Sequence, residues 1–276
     1  MCGNRSHPGH LTLRIDMKDI QNLKALRQID IDKVGVKGIR YPIVVLDKAE
    51  KIQHTIASFN MYVNLPHKFK GTHMSRFVEI LNEYRNEIDI RNFDTILDKM
   101  KGSLDAKSAH IEIEYPYFVK KRAPVSGEES LMEYTCNYLC YSGKKKEFIV
   151  GIKVPITTLC PCSKEISDFG AHSQRSYAKV CLLYNKFFWI EDIINLIEGS
   201  ASSDVYSMLK RSDEKWLTER AYENPMFVED VVREISGRLI EMKVFDWFSV
   251  ESENIESIHN HSAYALIEWG KRPKSI

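Results

Sequence analysis

A chain of 276 residues can hold one large domain or two of about 130 residues each. Hydrophobic content of 43% with 28% charged residues is ordinary for a soluble globular protein, and no apolar run approaches the roughly 20 residues that span a bilayer. A formal net charge of +1 gives no global case for nucleic-acid or membrane binding, so an anionic ligand would need a local basic patch.

Residues 1–16 contain Arg5, His7, His10 and Arg14 but no apolar core, so they read as a disordered N-terminal extension rather than a secretory signal. Met17 reads like an ordinary protein start. Residues 33–48 and 52–64 are rich in β-branched and aromatic residues and predict two strands. A helix follows, with Met74, Phe77, Val78, Leu81 and Tyr84 on one face and Thr72 as its N-cap. A second helix carries Phe93, Ile96, Leu97 and Met100. Two alternating strands come next, one through Ile111, Ile113, Tyr115 and Tyr117, the other through Met132, Tyr134, Cys136, Tyr138 and Cys140. Ser142-Gly143 supplies a turn.

The order then restarts. Phe148, Val150, Ile152 and Val154 alternate along a strand ending at Pro155, and 175–185 is its partner. Ile190, Ile193, Ile194 and Ile197 form a helical stripe that stops near Gly199. A longer helix shows Val228, Val231, Val232, Ile235 and Leu239 on one face, with Pro225 near its start. Strands at about 244–252 and 260–269 close the chain. The result is β-β-α-α-β-β twice: an α+β protein of two modules, 17–144 and 145–276, each an antiparallel sheet with its helices on one face. Open edges on such sheets predict association into a larger ring. Six cysteines without a disulfide-like framework suit a reducing cytoplasm.

The stretch LCPCSKEISDFGAHSQRS, 159–176, carries the chemistry. Thiolate sulfur and imidazole nitrogen are preferred ligands of zinc and other borderline metals, and here Cys160, Cys162 and His172 stand close in sequence. One metal-binding thiolate beside one free, reactive thiol fits this spacing better than a closed four-cysteine site; a structural metal site is the competing reading. Further ligands are sought in the second module. Asp213 and Glu214 lie in a charge-dense stretch at 209–219, of a kind that most often forms solvated surface. His259 and His261 precede the last strand, where one imidazole could bind metal while the other moves protons. Glu229 falls in the first turns of the long helix, where the dipole favours negative charge, although a plain helix-start role explains it equally well. Lys164, Arg175, Arg211 and Lys215 flank these residues and are the candidates for a phosphate-binding patch.

VPITTLCPCSKEISDFGAHSQRS resembles the characteristic segment of type IB GTP cyclohydrolase I, a bacterial enzyme family that opens the guanine ring of GTP. DKVGVKGIRYPI at 32–43, LKRSDEKWLTERAYENPMFVEDVVREI at 209–235 and ESIHNHSAYA at 256–265 look like further segments of that family, in the same order and spacing. The resemblance implies two tandem tunnelling-fold modules whose sheets form a barrel in a homotetramer, with active sites at subunit interfaces. It implies one divalent metal per site, manganese, iron or zinc, on Cys160, His172, Glu214 and His259. Cys162 would be the second active-site thiol, Cys162 or His261 would transfer protons, and Glu229 would anchor the guanine ring. The implied reaction takes GTP and water to 7,8-dihydroneopterin triphosphate and formate; archaeal relatives yield a cyclic phosphate instead. Two other readings are a tunnelling-fold NADPH-dependent nitrile reductase, whose cofactor motif is missing here, and a metal-stabilised binding protein without turnover.

Overall fold

A computed structural model describes residues 21, 23–84 and 92–273; the expected extension at 1–16 lies outside them. Eight strands form one antiparallel sheet in sequence order: β1 (Ile31–Asp47), β2 (Lys51–Leu65), β3 (Ala109–Arg122), β4 (Glu129–Ser142), β5 (Lys146–Leu159), β6 (Ser173–Tyr184), β7 (Phe245–Ile255) and β8 (Ser262–Gly270). The helices are α1 (Ser75–Glu83), α2 (Phe93–Ser103), α3 (Pro161–Ile166), α4 (Ile190–Glu198), α5 (Arg211–Glu223) and α6 (Val228–Met242). The two expected sheets are joined where β4 pairs with β5, from Thr135 opposite Lys153 to Ser142 opposite Lys146. A single apolar cluster runs beneath both halves, from Phe59, Phe77 and Ile96 to Val180, Ile193 and Ile235.

Period-two alternation explains the layers. On β3, Ile111, Ile113, Tyr115 and Tyr117 are buried under the helices, while Glu112 and Glu114 face the other way. The open face is polar and stitched by ion pairs such as Lys33–Glu112 at 3.3 Å and Lys179–Glu251 at 3.1 Å.

Several expectations need correcting. α1 begins after Met74, already in helical conformation, so Thr72 lies too far upstream to cap it. Its buried face is Phe77, Ile80 and Leu81, with Val78 exposed. β5 does not stop at Pro155 but runs on to Leu159. The β4–β5 ladder ends at Lys153, so beyond it that side of β5 is an edge where a missing N–H costs nothing. Thr157 fills the same side with a bridge to Ser203, and Pro155, two residues earlier, points its ring nitrogen the same way.

The charged stretch near 209–219 is a helix, α5, which adds to the second half of the repeat. It has no apolar stripe to announce it: its buried side chains are Asp213 and Ala221. Asp213 is a structural cap rather than an oxygen ligand. Its carboxylate accepts from Val125 N and Ser126 N at 2.8 Å each, from Ser126 Oγ at 2.7 Å and from Lys210 N at 2.8 Å. This ties the start of α5 to the β3–β4 turn. Behind it, Lys121 on β3 reaches Glu198 at 2.7 Å and Asp204 at 3.3 Å, a second tie between the halves.

Burial alone would raise the Asp213 carboxyl, but the Ser126, Lys210 and Val125 donors outweigh it and hold it well below the ordinary value of 3.8. A depressed folded value means the contribution to stability is fully present above that ordinary value and is lost as pH falls through the folded one. Asp213→Asn should therefore lower the thermal midpoint at neutral pH and flatten the acid limb of stability below about pH 4, read by thermal melts across a pH series.

Candidate active site

The site is built at the β5–β6 connection. Residues 160–172 leave the sheet at the end of β5 and return at the start of β6, and Cys160 N donates to the His172 carbonyl at 3.1 Å. That bond closes the loop at its base and sets Cys160 and His172, well separated in sequence, opposite each other. Inside the loop, Pro161 occupies the first turn of α3, where its fixed φ and missing N–H suit a helix start. Cys160 is the N-cap, and its Sγ accepts from Ser163 N at 3.4 Å. Ser163 also spans the loop: its Oγ donates to Cys160 O at 3.1 Å and accepts from His172 N at 3.2 Å.

His172 is half-buried, and its Nδ1 is engaged from two sides, by Gln174 Oε1 at 3.1 Å and Ser257 Oγ at 3.2 Å. Ser257 belongs to the β7–β8 connection, so the segment that carries His259 and His261 is docked against His172. Those two imidazoles are exposed and stack on each other, with ring centroids 5.1 Å apart and planes 28° apart. They sit on the turn rather than on β8. Cys162 is exposed on α3, two residues beyond the Cys160 cap.

Glu229 is exposed in the first turn of α6. The linker before that helix is pinned to the site, because Met226 N donates to Leu159 O at 3.1 Å, directly beside Cys160. Glu214 is exposed in the first turn of α5. The other end of α5 meets the loop through Lys164, whose Nζ bonds Tyr222 O at 2.5 Å and lies 4.4 Å from the Tyr222 ring centre. Glu214 is therefore about 12 Å of helix axis from that contact. Among the described residues, no three His, Cys, Asp or Glu side chains are gathered as a ready metal cage.

The basic candidates are also dispersed. Lys215 pairs with Glu219 at 2.5 Å, and Arg211 is exposed at the start of α5. Arg175 lines a cleft of about 890 Å³ between the 168–173 loop, the 203–206 segment and α5. Asp168, Asp204, Glu219 and Glu223 line the same cleft. Carboxylates outnumber the guanidinium there, so within one chain this is a poor seat for a triphosphate.

Ser163, Gln174 and Ser257 escape a reading by residue type, since neutral polar side chains carry no spacing pattern of their own. The one available signal is that Gln174 follows His172 by two and so shares its side of β6.

A family model described as type I GTP cyclohydrolase folE2 matches residues 17–265. The GTP cyclohydrolase FolE2 of Geotalea uraniireducens is 59% identical over 260 residues, covering 94% of this chain and 96% of that protein. That of Syntrophus aciditrophicus is 62% identical over 253 residues, covering 91% of this chain and 99% of that one. Among solved structures, urate oxidase from Bacillus sp. TB-90 aligns with a TM-score of 0.53 at 9% identity, over 87% of this chain and 100% of that one. A uricase from Bacillus fastidious aligns at 0.51 and 8%, over 89% and 94%. At such identities the likeness is one of fold, and it is the tunnelling fold that the family resemblance implies. The match over most of the chain and the closeness of these relatives place the protein in the type I GTP cyclohydrolase FolE2 family.

Proposed function

We propose that this enzyme converts GTP and water to 7,8-dihydroneopterin triphosphate and formate, feeding folate and pterin synthesis, with one divalent metal per active site. The observation that carries the site assignment is the closure of the 160–172 loop, which sets Cys160 opposite His172 and docks the His259 segment on His172 through Ser257. The donor set suits a borderline metal: sulfur from Cys160, an imidazole whose Nδ1 is already engaged at His172, and an exposed imidazole at His259, with Glu214, at the far end of α5 from the loop, joining from another surface of the assembly. Manganese, iron and zinc all accept such mixed ligands. When bound, the metal would supply a water made nucleophilic near neutral pH.

The chain's own groups account for the remaining demands. Opening the imidazole ring of guanine needs protons delivered to its nitrogens, and Cys162 and His261 are exposed beside the proposed ligands. Glu229 can accept from the ring N–H and the exocyclic amine of guanine together, a charge-assisted pairing that adenine cannot offer. Lys164, Arg175, Arg211 and Lys215 supply the positive charge for the triphosphate. We read the 17–144 and 145–276 segments as the two tunnelling modules, the second holding most of the site. The assembly would be a homotetramer closed through the free edges of β1 and β8, which expose Ile31, Tyr264, Leu266 and Trp269. A cytoplasmic setting fits the five described cysteines, all free thiols, and no described helix is long and apolar enough to cross a membrane.

Metal content and turnover should fall together in Cys160→Ala, His172→Ala, Glu214→Ala and His259→Ala; unchanged metal stoichiometry in any of them removes that residue from the ligand set. Cys162→Ala should keep its metal and lose about 10²–10⁴-fold in rate, as expected for a lost acid–base group. Release of formate and appearance of a pterin chromophore from GTP with Mn²⁺ is the direct assay.

Glu229→Gln should weaken GTP turnover with metal content intact, since an amide cannot accept at both positions. GTP should be turned over, ATP not, and ITP, which lacks the exocyclic amine, should fall between them. Equal turnover of ATP and GTP would leave Glu229 as a helix-start charge only. Removing all four basic side chains should weaken GTP binding far more than guanosine binding, measured by calorimetry.

A further inference from the structure

Beneath His172 runs a row of buried neutral polar groups. Gln174 is 7% exposed, and Thr158 and Ser176 are 0% exposed. They belong to the β5–β6 ladder, where Thr158 stands opposite Gln174 and Ser176 opposite Ile156. Gln174 Nε2 donates to Thr158 Oγ1 at 2.9 Å, and Thr158 Oγ1 lies 2.8 Å from Ser176 Oγ. Having accepted from the amide, the Thr158 hydroxyl still has its proton and a second lone pair for Ser176, so either hydroxyl can donate in that pair. The amide nitrogen of Gln174 is thereby committed inward, and the carbonyl oxygen is left facing His172 Nδ1 at 3.1 Å.

An amide oxygen only accepts. The His172 nitrogen facing it must therefore carry the proton, and in a neutral imidazole that leaves the lone pair on Nε2. We propose that Gln174 is a positioning residue for the metal site: held by Thr158 and Ser176, it fixes His172 in the Nδ1–H tautomer and presents Nε2 to the metal. Ser257, the other neighbour of Nδ1, is exposed and can share the same proton, so it docks its loop without reversing the tautomer. Burial is what gives Gln174 this authority, because a buried amide that turned over would take its Nε2 away from the Thr158 Oγ1 acceptor and force Thr158 to donate instead.

The consequence for metal binding rests on His172 being a ligand; the tautomer itself does not. The test is therefore in two parts on the full chain. Nitrogen-15 NMR of the metal-free protein, with His172→Asn assigning the signals, should show the proton on Nδ1 of His172. In parallel, Zn²⁺ and Mn²⁺ affinity is measured by competition with a chromophoric chelator. Gln174→Leu should lose about 10–100-fold in affinity, the usual effect of removing a group that orients a metal-bound histidine. Gln174→Glu, which keeps an acceptor at Nδ1, should restore it. If the leucine variant does not fold, Thr158→Val keeps the shape while releasing the amide, and should give mixed tautomers and weaker binding. An Nε2–H tautomer in the parent overturns the proposal, as does parental affinity in Gln174→Leu. An Nδ1–H tautomer in a parent that binds no metal upholds the positioning role and sinks the metal reading instead.

Discussion

The hydrogen bond from Cys160 N–H to the His172 carbonyl continues the β5–β6 ladder one step past its last paired residues, Leu159 and Ser173. Everything proposed for the site depends on that register. It is pinned far from the site, by Val150, Ile152, Val154 and Ile156 on β5 and Ala178, Val180 and Leu182 on β6, all buried in the common core. A slip of one residue would turn those side chains to the polar face, so the core enforces the alignment. The same slip would separate Thr158 from Gln174 and the thiol from the imidazole. Core burial and site geometry are thus one constraint seen at two places along a single pair of strands.

Much of the fold was legible because its elements obey one period each. Residues 111–117 and 132–140 alternate without interruption, and β3 and β4 bury every apolar position so identified. The stripes of α2 and α6 are likewise buried as read, and that of α4 is buried except at Ile190, which is half-buried at the first position of the helix. α5 was hidden because it packs through a capping carboxylate and one alanine instead of an apolar face. α3 was hidden because it is a short turn inside a loop. Pro155 misled because a proline's meaning depends on which neighbour a strand has at that height, and pairing is not local in sequence.

The candidate site stands out in the sequence in a different way. Sulfur and imidazole are rare enough that Cys160, Cys162 and His172 stand out by type, and long motifs in order carried the resemblance to the family. Asp213 and Glu214 could not be told apart by type. The structure separates them by direction, Asp213 turned inward onto four donors and Glu214 outward to solvent. Gln174 could be recognised only once the register was known, since its role comes from what it is buried against.

The spread of the proposed donors follows from the same architecture. Cys160 and His172 sit at one end of the β5–β6 pair, His259 on the β7–β8 turn, and Glu214 and Glu229 at the starts of two different helices. An antiparallel sheet sends its connections to both ends and its helices to one face, so such residues converge only where another surface closes over them. The free edges of β1 and β8 expose apolar side chains that favour contact with another chain. Closing those edges with further copies would wall in the polar face, whose ion pairs such as Lys179–Glu251 already balance their own charge. Charge points the same way. With a net charge of +1 and a cleft richer in carboxylates than guanidinium groups, one chain alone offers little to a triphosphate. Under the proposed assembly, basic side chains from more than one surface share that load, which is the arrangement a nearly neutral protein needs to hold a polyanion.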